Sequence, residues 1–158
     1  MSQEARELED PTQRWVTFHM DNETYGINVT QVREVLRITE IAPVPGAPDY
    51  VLGIINLRGN VVTVMDTRKR FGLRSVENTD STRIVIIEVE GQEVGILVDS
   101  VAEVIDIRQS AVEAAPNIGN DDASRYIQGV SSIEGQLLIL VDLNRLLTDE
   151  EWQEVTSF

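Results

Sequence analysis

The chain has 158 residues, a length that suits one compact unit or two very small ones. Its 13 Lys and Arg against 27 Asp and Glu give a net charge of −14, which argues against a nucleic-acid partner and against an anionic bilayer. It contains no cysteine, which excludes disulfides, thiolate metal sites and cysteine nucleophiles.

Residues 1–14 are predicted to form a disordered tail, because they are polar and acidic with few apolar side chains. This segment lacks the basic start and apolar stretch of a secretory signal, and no apolar run in the chain approaches the ~20 residues of a membrane span. We therefore expect a cytoplasmic protein with no direct membrane insertion.

The first structured segment is predicted to be a β-hairpin. Apolar and polar residues alternate over Val16–Met20, the polar triplet Asp21–Glu23 interrupts them, and the strand pattern resumes over Thr24–Val29. The 20 valines and 15 isoleucines of the chain also favour strands over helices. Six further strands are predicted over Gly53–Leu57, Val61–Met65, Arg83–Val89, Glu93–Val98, Gln128–Ile133 and Leu137–Val141.

Short helices and glycine turns are predicted between these strands. Three of the turns contain glycine at positions 59, 91 and 135. The short helices are predicted over Val29–Leu36, Asp66–Phe71 and Leu143–Leu147.

The chain contains an internal duplication. A shift of 69 aligns residues 16–38 with 85–107, with eight of 23 positions identical, and a shift of 76 aligns residues 50–71 with 126–147. The unequal shifts place an insertion near Asn117–Ser124. A first repeat over about 15–82 and a second over about 83–147 therefore predict two similar small β-barrels or sandwiches with about five strands each.

The last segment, residues 148–158, is predicted to be a short helix or tail. Thr148 and Glu151 have the spacing of a capping box, which places Trp152 and Val155 on one face of such a helix.

The sequence offers little for catalysis. His19 is the single histidine, and a half-packed strand position suits it better than the role of a catalytic base. No phosphate-binding loop or calcium loop is present, and Gly53 and Gly59 are interpreted as a close backbone contact and a hairpin turn. We expect no enzyme activity, no cofactor and no metal, and a binding surface instead.

Arg58 is the candidate that the duplication singles out, because the equivalent turn residue of the second repeat is Glu134. Opposite charges at corresponding turns indicate either two surfaces specialised for different partners or two ordinary polar turns, and the sequence leaves both interpretations open.

Several motifs together resemble the CheW family of chemotaxis coupling proteins. They are YGINV at 25–29, VREV at 32–35, IAPVP at 41–45, YVLGIINLRG at 50–59, VVTVMD at 61–66, VGILVDSV at 94–101 and QLLILVD at 136–142. The resemblance covers about residues 15–150. It implies an all-β fold with a few short helices, consisting of two tandem five-stranded SH3-like β-barrels related by the duplication.

The resemblance also implies a function. Proteins of this family are non-catalytic adaptors that link methyl-accepting chemoreceptors to the histidine kinase CheA in membrane-associated arrays. The kinase's regulatory domain would dock against one barrel, and the receptor's cytoplasmic tip would dock in an apolar groove between the barrels. The alternatives are the same scaffold in another chemosensory pathway, such as control of pili or a second messenger, and an unrelated β-barrel binding module.

Seven protein-binding residues follow from the resemblance. Glu34 and Arg58 are the charged pair that governs the contacts, and the surrounding apolar surface is shaped by Val32, Gly53, Val101, Val104 and Gly129. Each has a plain structural alternative. The three valines recur at helical spacing and could be core, the two glycines could serve the backbone, and Glu34 has a counterpart in Glu103.

Overall fold

The computed structural model describes residues 10–74, 77–114 and 126–156, which form ten strands and two short helices. The strands are β1 (Thr12–Met20), β2 (Glu23–Asn28), β3 (Val32–Arg37), β4 (Val51–Leu57), β5 (Asn60–Asp66), β6 (Arg83–Val89), β7 (Gln92–Val98), β8 (Ser100–Arg108), β9 (Ile127–Ile133) and β10 (Gln136–Val141). Helix α1 is Thr67–Arg70 and helix α2 is Asp149–Thr156, and 3₁₀ turns lie at Val29–Gln31, Gln109–Ala111 and Leu143–Arg145. Neither helix in this part of the chain has the length and apolar character that crossing a membrane requires.

The strands form two five-stranded sheets, which confirms the predicted fold class. Sheet 1 has the order β8-β1-β2-β10-β9 and sheet 2 the order β3-β6-β7-β5-β4. In each sheet one central pair is parallel, β2 with β10 and β5 with β7, and the other pairs are antiparallel. Each sheet therefore takes strands from both repeats, and the repeat boundary near residue 82 does not separate the two sheets.

Each sheet curls until its two outer edges meet. Ala42, which follows β3, exchanges two backbone hydrogen bonds of 2.9 Å with Ile54 on β4. Glu113, which follows β8, exchanges equivalent bonds of 2.8 and 2.9 Å with Val130 on β9. These bridges satisfy backbone groups that an open sheet edge would leave unpaired, and we call the line along which the edges meet the seam of each sheet.

The hydrophobic core has three parts. The largest lies between the two sheets and includes Phe18, Ile27, Val85, Ile96 and Val141. A smaller cluster fills sheet 2, and another fills sheet 1 around Trp15. The buried run Ile84–Ile87 on β6 contributes to two of these clusters. Its alternate side chains point into the cluster of sheet 2 and into the core between the sheets.

The predicted hairpins and turns are confirmed. Asp21 and Asn22, which join β1 to β2, both have positive φ, as a two-residue hairpin turn requires. The turns Arg58–Gly59, Glu90–Gly91 and Glu134–Gly135 have the same geometry, with a first-residue φ of 51° or 52°.

The predicted helix over Val29–Leu36 is wrong, since only Val29–Gln31 is helical and Val32–Arg37 is strand β3. The error has a physical cause. Val32 lies opposite Ile87 and Val35 opposite Val85, so three steps on β3 match two on β6. A β-bulge adds one residue and thereby converts apolar spacing of i, i+3 into one face of a strand.

Strand β8 contains the same kind of β-bulge. Val101 lies opposite Phe18 and Val104 opposite Val16, again three steps against two. The extra backbone groups are satisfied by Thr17, whose hydroxyl donates to the carbonyl of Glu103 at 2.7 Å and accepts from its N–H at 3.0 Å. Helical spacing of these valines is therefore a property of bulged strands.

The amino-terminal boundary also needs correction, because β1 begins at Thr12 and pairs there with Arg108 on β8. Asp10 in addition accepts two hydrogen bonds of 2.8 Å from Ser110. Three residues of the predicted tail are thus strand, while residues 1–9 and the predicted insertion Asn117–Ser124 lie outside the described residues.

The carboxyl-terminal helix forms as predicted and packs onto the core. The amide of Thr148 donates to Glu151 at 2.9 Å and the amide of Glu151 donates to the Thr148 hydroxyl at 3.2 Å, which is the predicted capping box. Val155 is buried in the core between the sheets, with Trp152 packed against it, so both residues face inward.

Candidate protein-binding site

Arg58 and Glu34 are brought together at the seam of sheet 2. Arg58 opens the turn between β4 and β5, and its guanidinium donates two hydrogen bonds to the carboxylate of Glu34 on β3, at 3.1 and 2.9 Å. The hydrogen bonds and negative charge of Glu34 raise the pKa of Arg58, with a further contribution from the charge of Glu93. The Arg58 side chain remains 73% exposed, so most of the guanidinium faces solvent.

The equivalent seam of sheet 1 has no such pair of opposite charges. Glu103 takes the place of Glu34 and Glu134 takes the place of Arg58, and both are exposed. Arg58 and Glu134 have φ of 52° and 51°, so the two side chains leave equivalent turns with opposite charge. At these two pairs of equivalent positions, the fold therefore presents an arginine and a glutamate at one seam and two glutamates at the other.

Gly53 and Gly129 lie where each seam is tightest. A Cβ atom on Gly53 would meet the carbonyl oxygen of Ala42 at 2.2 Å, and one on Gly129 would meet Val112 Cγ1 at 2.7 Å and the carbonyl oxygen of Glu113 at 2.9 Å. Gly53 also has φ of +154°, which disfavours any other residue. Both glycines thus allow the bridging backbone of their own seam to approach closely.

The three valines occupy strand positions at the rim of the core. Val32 and Val101 are partly buried against the core between the sheets, whereas Val104 is 54% exposed. The partner residues of Val32 on β6 belong to that same core, so this face of β3 looks toward sheet 1. Val32 and Val101, each on the outer strand of its sheet, thus lie at the margin of the core with Val104 farther out, and we call these valines of β3 and β8 the valine strip.

Val35 belongs to the valine strip and was missed in the sequence. It is 41% exposed and lies on the same face of β3 as Val32. The duplication could have identified Val35, because it aligns Val35 with Val104, which was a predicted site residue. Val35 and Val104 are therefore exposed apolar side chains at equivalent positions of the two repeats.

His19 occupies an ordinary position on a paired strand. It is half-buried on β1, and its Nδ1 lies 3.3 Å from the Thr24 hydroxyl of the paired strand. Within residues 10–74, 77–114 and 126–156, no cluster of three or more His, Asp or Glu side chains is arranged to hold a metal ion.

Comparison with known proteins identifies the family. Residues 14–151 match the model of the CheW-like domain. The chemotaxis protein CheW of Bacillus subtilis is 38% identical over 141 residues, which cover 89% of this chain and 90% of that protein. The CheW protein of Treponema pallidum is 34% identical over 146 residues, covering 90% of this chain and 86% of that protein.

A solved structure agrees with the sequence comparison. The scaffolding protein TtCheW from Thermoanaerobacter tengcongensis superposes with a TM-score of 0.79 at 33% identity, covering 85% of this chain and 91% of that one. The chain therefore belongs to the CheW-like family and has the role of a chemotaxis scaffold.

Proposed function

We propose that this chain couples methyl-accepting chemoreceptors to the histidine kinase CheA in membrane-associated arrays, with no catalysis of its own. Family membership supports the class of function. The observation that carries the site is the Arg58–Glu34 pair with its exposed guanidinium at one seam, where both equivalent positions of the other seam are glutamates.

The Arg58 guanidinium is the proposed contact for the kinase's regulatory domain. Two of its N–H groups bind Glu34, and the exposed remainder of the planar fork can bind a carboxylate of a partner with defined geometry. Glu34 fixes the side chain in one rotamer before the partner arrives, which lowers the entropy cost of binding.

The valine strip is the proposed contact for the receptor's cytoplasmic tip. A helical hairpin presents apolar side chains along one face, and such a face binds to apolar grooves between elements of a partner. Val32 and Val101 supply the partly buried base of this surface, and Val35 and Val104 supply its exposed rim.

A scaffold of this kind changes kinase output through binding alone. It must hold receptor and kinase in a geometry that favours one kinase state, so the coupling equals the difference in its affinity for the two states. Both contacts must therefore form at once.

The test is reconstitution from purified parts. Receptor-containing vesicles and CheA are combined with the wild-type chain, with Arg58→Glu, with Val104→Arg and with Arg74→Glu, which changes an arginine that is 84% exposed elsewhere. We expect the wild type and Arg74→Glu to recruit the kinase to the vesicles. Arg58→Glu should lose the kinase and Val104→Arg the receptor. Failure of the folded wild type to bind either partner would overturn the proposal.

A further inference from the structure

Arg70, the last residue of α1, lies between the two sheets and contacts both. Its Cζ is 4.9 Å from the ring centre of Tyr50, which precedes β4 of sheet 2, and 5.6 Å from the ring centre of Tyr126, which precedes β9 of sheet 1. The side chain is only 14% exposed, and at this burial cation–π contacts are stronger than at a surface.

The same guanidinium also binds the end of the chain. Its Nε donates to the carbonyl of Leu146 at 2.9 Å, and its Nη2 donates to the carboxylate of Glu151 on α2 at 2.6 Å. Glu151 is at the same time the capping residue that binds Thr148. One side chain therefore links α1, both sheets and the carboxyl-terminal helix.

The duplication shows what is special about this position. Tyr50 and Tyr126 are equivalent residues, and their carbonyls accept equivalent hydrogen bonds from the amides of Asp66 and Asp142, at 2.7 and 2.8 Å. Position 70 breaks the equivalence, because the second repeat has Leu146 there. Arg70 thus lies between two matching tyrosines and binds the carbonyl of its own counterpart.

We propose that Arg70 is a positioning residue that holds the two sheets and helix α2 in a single mutual orientation. The hydrophobic attraction between the sheets is itself non-directional. A planar guanidinium with two hydrogen bonds and two ring contacts adds directional constraints. The inference rests on the proposed function in one respect, since a scaffold with two partners depends on the angle between its two halves.

Orientation can be measured on the chain alone, because it contains no cysteine. Spin labels on Asn60→Cys and Gln136→Cys occupy equivalent exposed strand starts, one in each sheet. The distance distribution is measured in the parent, in Arg70→Leu, in Arg70→Lys and in the control Arg74→Leu. We expect one narrow distribution in the parent and control, a broad one in Arg70→Leu, and an intermediate one in Arg70→Lys, which keeps the charge but loses the fork.

Hydrogen exchange provides the second readout. In Arg70→Leu the amides of α2 should exchange about tenfold faster, because the helix loses its anchor while the sheets remain folded. Glu151→Gln, which leaves Arg70 between the tyrosines, should accelerate exchange in α2 but keep the distance distribution narrow. A folded Arg70→Leu with unchanged distances and unchanged exchange would overturn the proposal. If Arg70→Leu does not fold, a parent-like result for Arg70→Lys in both measurements would overturn it instead.

The consequence for signalling is tested separately. Arg70→Leu should bind receptor vesicles alone and CheA alone as the wild type does, and should activate the kinase less when both are present. Wild-type activation by a variant with a broadened distance distribution would overturn the link to signalling. Because the distance and exchange measurements involve no partner, they remain decisive even if the proposed function is wrong.

Discussion

Arg58 and Glu34 join the turn after β4 to the outer strand β3 through two hydrogen bonds of 3.1 and 2.9 Å, with the Arg58 side chain 73% exposed and that of Glu34 25% exposed. Exposed ion pairs contribute little to folding stability, because water screens the attraction and two long side chains lose freedom. We therefore expect the pair to contribute more to the binding of a partner than to the stability of the fold.

Arg58→Glu should weaken binding of the kinase regulatory domain strongly while leaving the midpoint of thermal unfolding close to that of the wild type. The double variant Arg58→Glu with Glu34→Arg restores an ion pair with its charges exchanged, and should likewise keep the unfolding midpoint close to that of the wild type without restoring the binding. Binding constants and thermal melts on all three proteins check this. Parallel losses of stability and binding in Arg58→Glu would refute the assignment of Arg58 as a contact residue.

Gly53→Ala should destabilise the fold by about 3 kcal/mol, because the added Cβ overlaps the backbone of Ala42 and must also tolerate an unfavourable φ. Gly46→Ala is the matched control, since its φ of +79° is unfavourable but its Cβ would meet nothing within 4 Å. The control should lose only about 1 kcal/mol. Chemical denaturation measures both values, and equal losses would mean that the seam is not tight at Gly53.

Thr17→Val should destabilise the fold by about 1–3 kcal/mol, because the part-buried N–H and carbonyl of Glu103 lose their partner in the bulge of β8. Thr17→Ser keeps the hydroxyl and should lose less. Denaturation of the two variants separates the hydrogen bonds from the methyl group. A valine variant as stable as the serine variant would show that water replaces the hydroxyl.

Glu151 should make the protein sensitive to acid. Burial opposes ionisation of this carboxyl, but the hydrogen bonds from Thr148 and Arg70 and the charge of Arg70 prevail and hold its pKa below the ordinary value of 4.5. The unfolded chain thus binds this proton more readily than the folded one. The stabilisation is fully present above pH 4.5 and is lost as the pH falls through the lowered pKa of the folded state.

The measurement is the difference in melting temperature between the wild type and Glu151→Gln as a function of pH. It should be constant near neutrality and shrink below pH 4.5. Glu150→Gln, a change at the exposed neighbour in the same helical turn, serves as the control and should show a smaller dependence. A difference that persists unchanged into acid would rule out the ionised carboxylate as its source.

Local chemistry made much of the fold readable from the sequence. Two-residue turns need positive φ, and the glycines at 59, 91 and 135 indicate such turns. Strands buried on one face are recognised by the alternation of apolar and polar residues. The helix prediction over Val29–Leu36 was wrong because a bulged strand has the same i, i+3 spacing of apolar residues as a helix. Only the partner strand, with its two residues opposite three, distinguishes the two structures.

The duplication and the family motifs by themselves indicated a chemotaxis scaffold of two similar β units, and they singled out Arg58 because the second repeat has Glu134 at the equivalent turn. The tertiary structure decided how the two repeats share strands between the sheets, that Arg58 binds Glu34, and that Arg70 lies between Tyr50 and Tyr126. Those contacts join residues far apart in the chain. A sequence records which residue types are compatible with burial or a turn, whereas the pairing of distant side chains depends on the packing of every element between them.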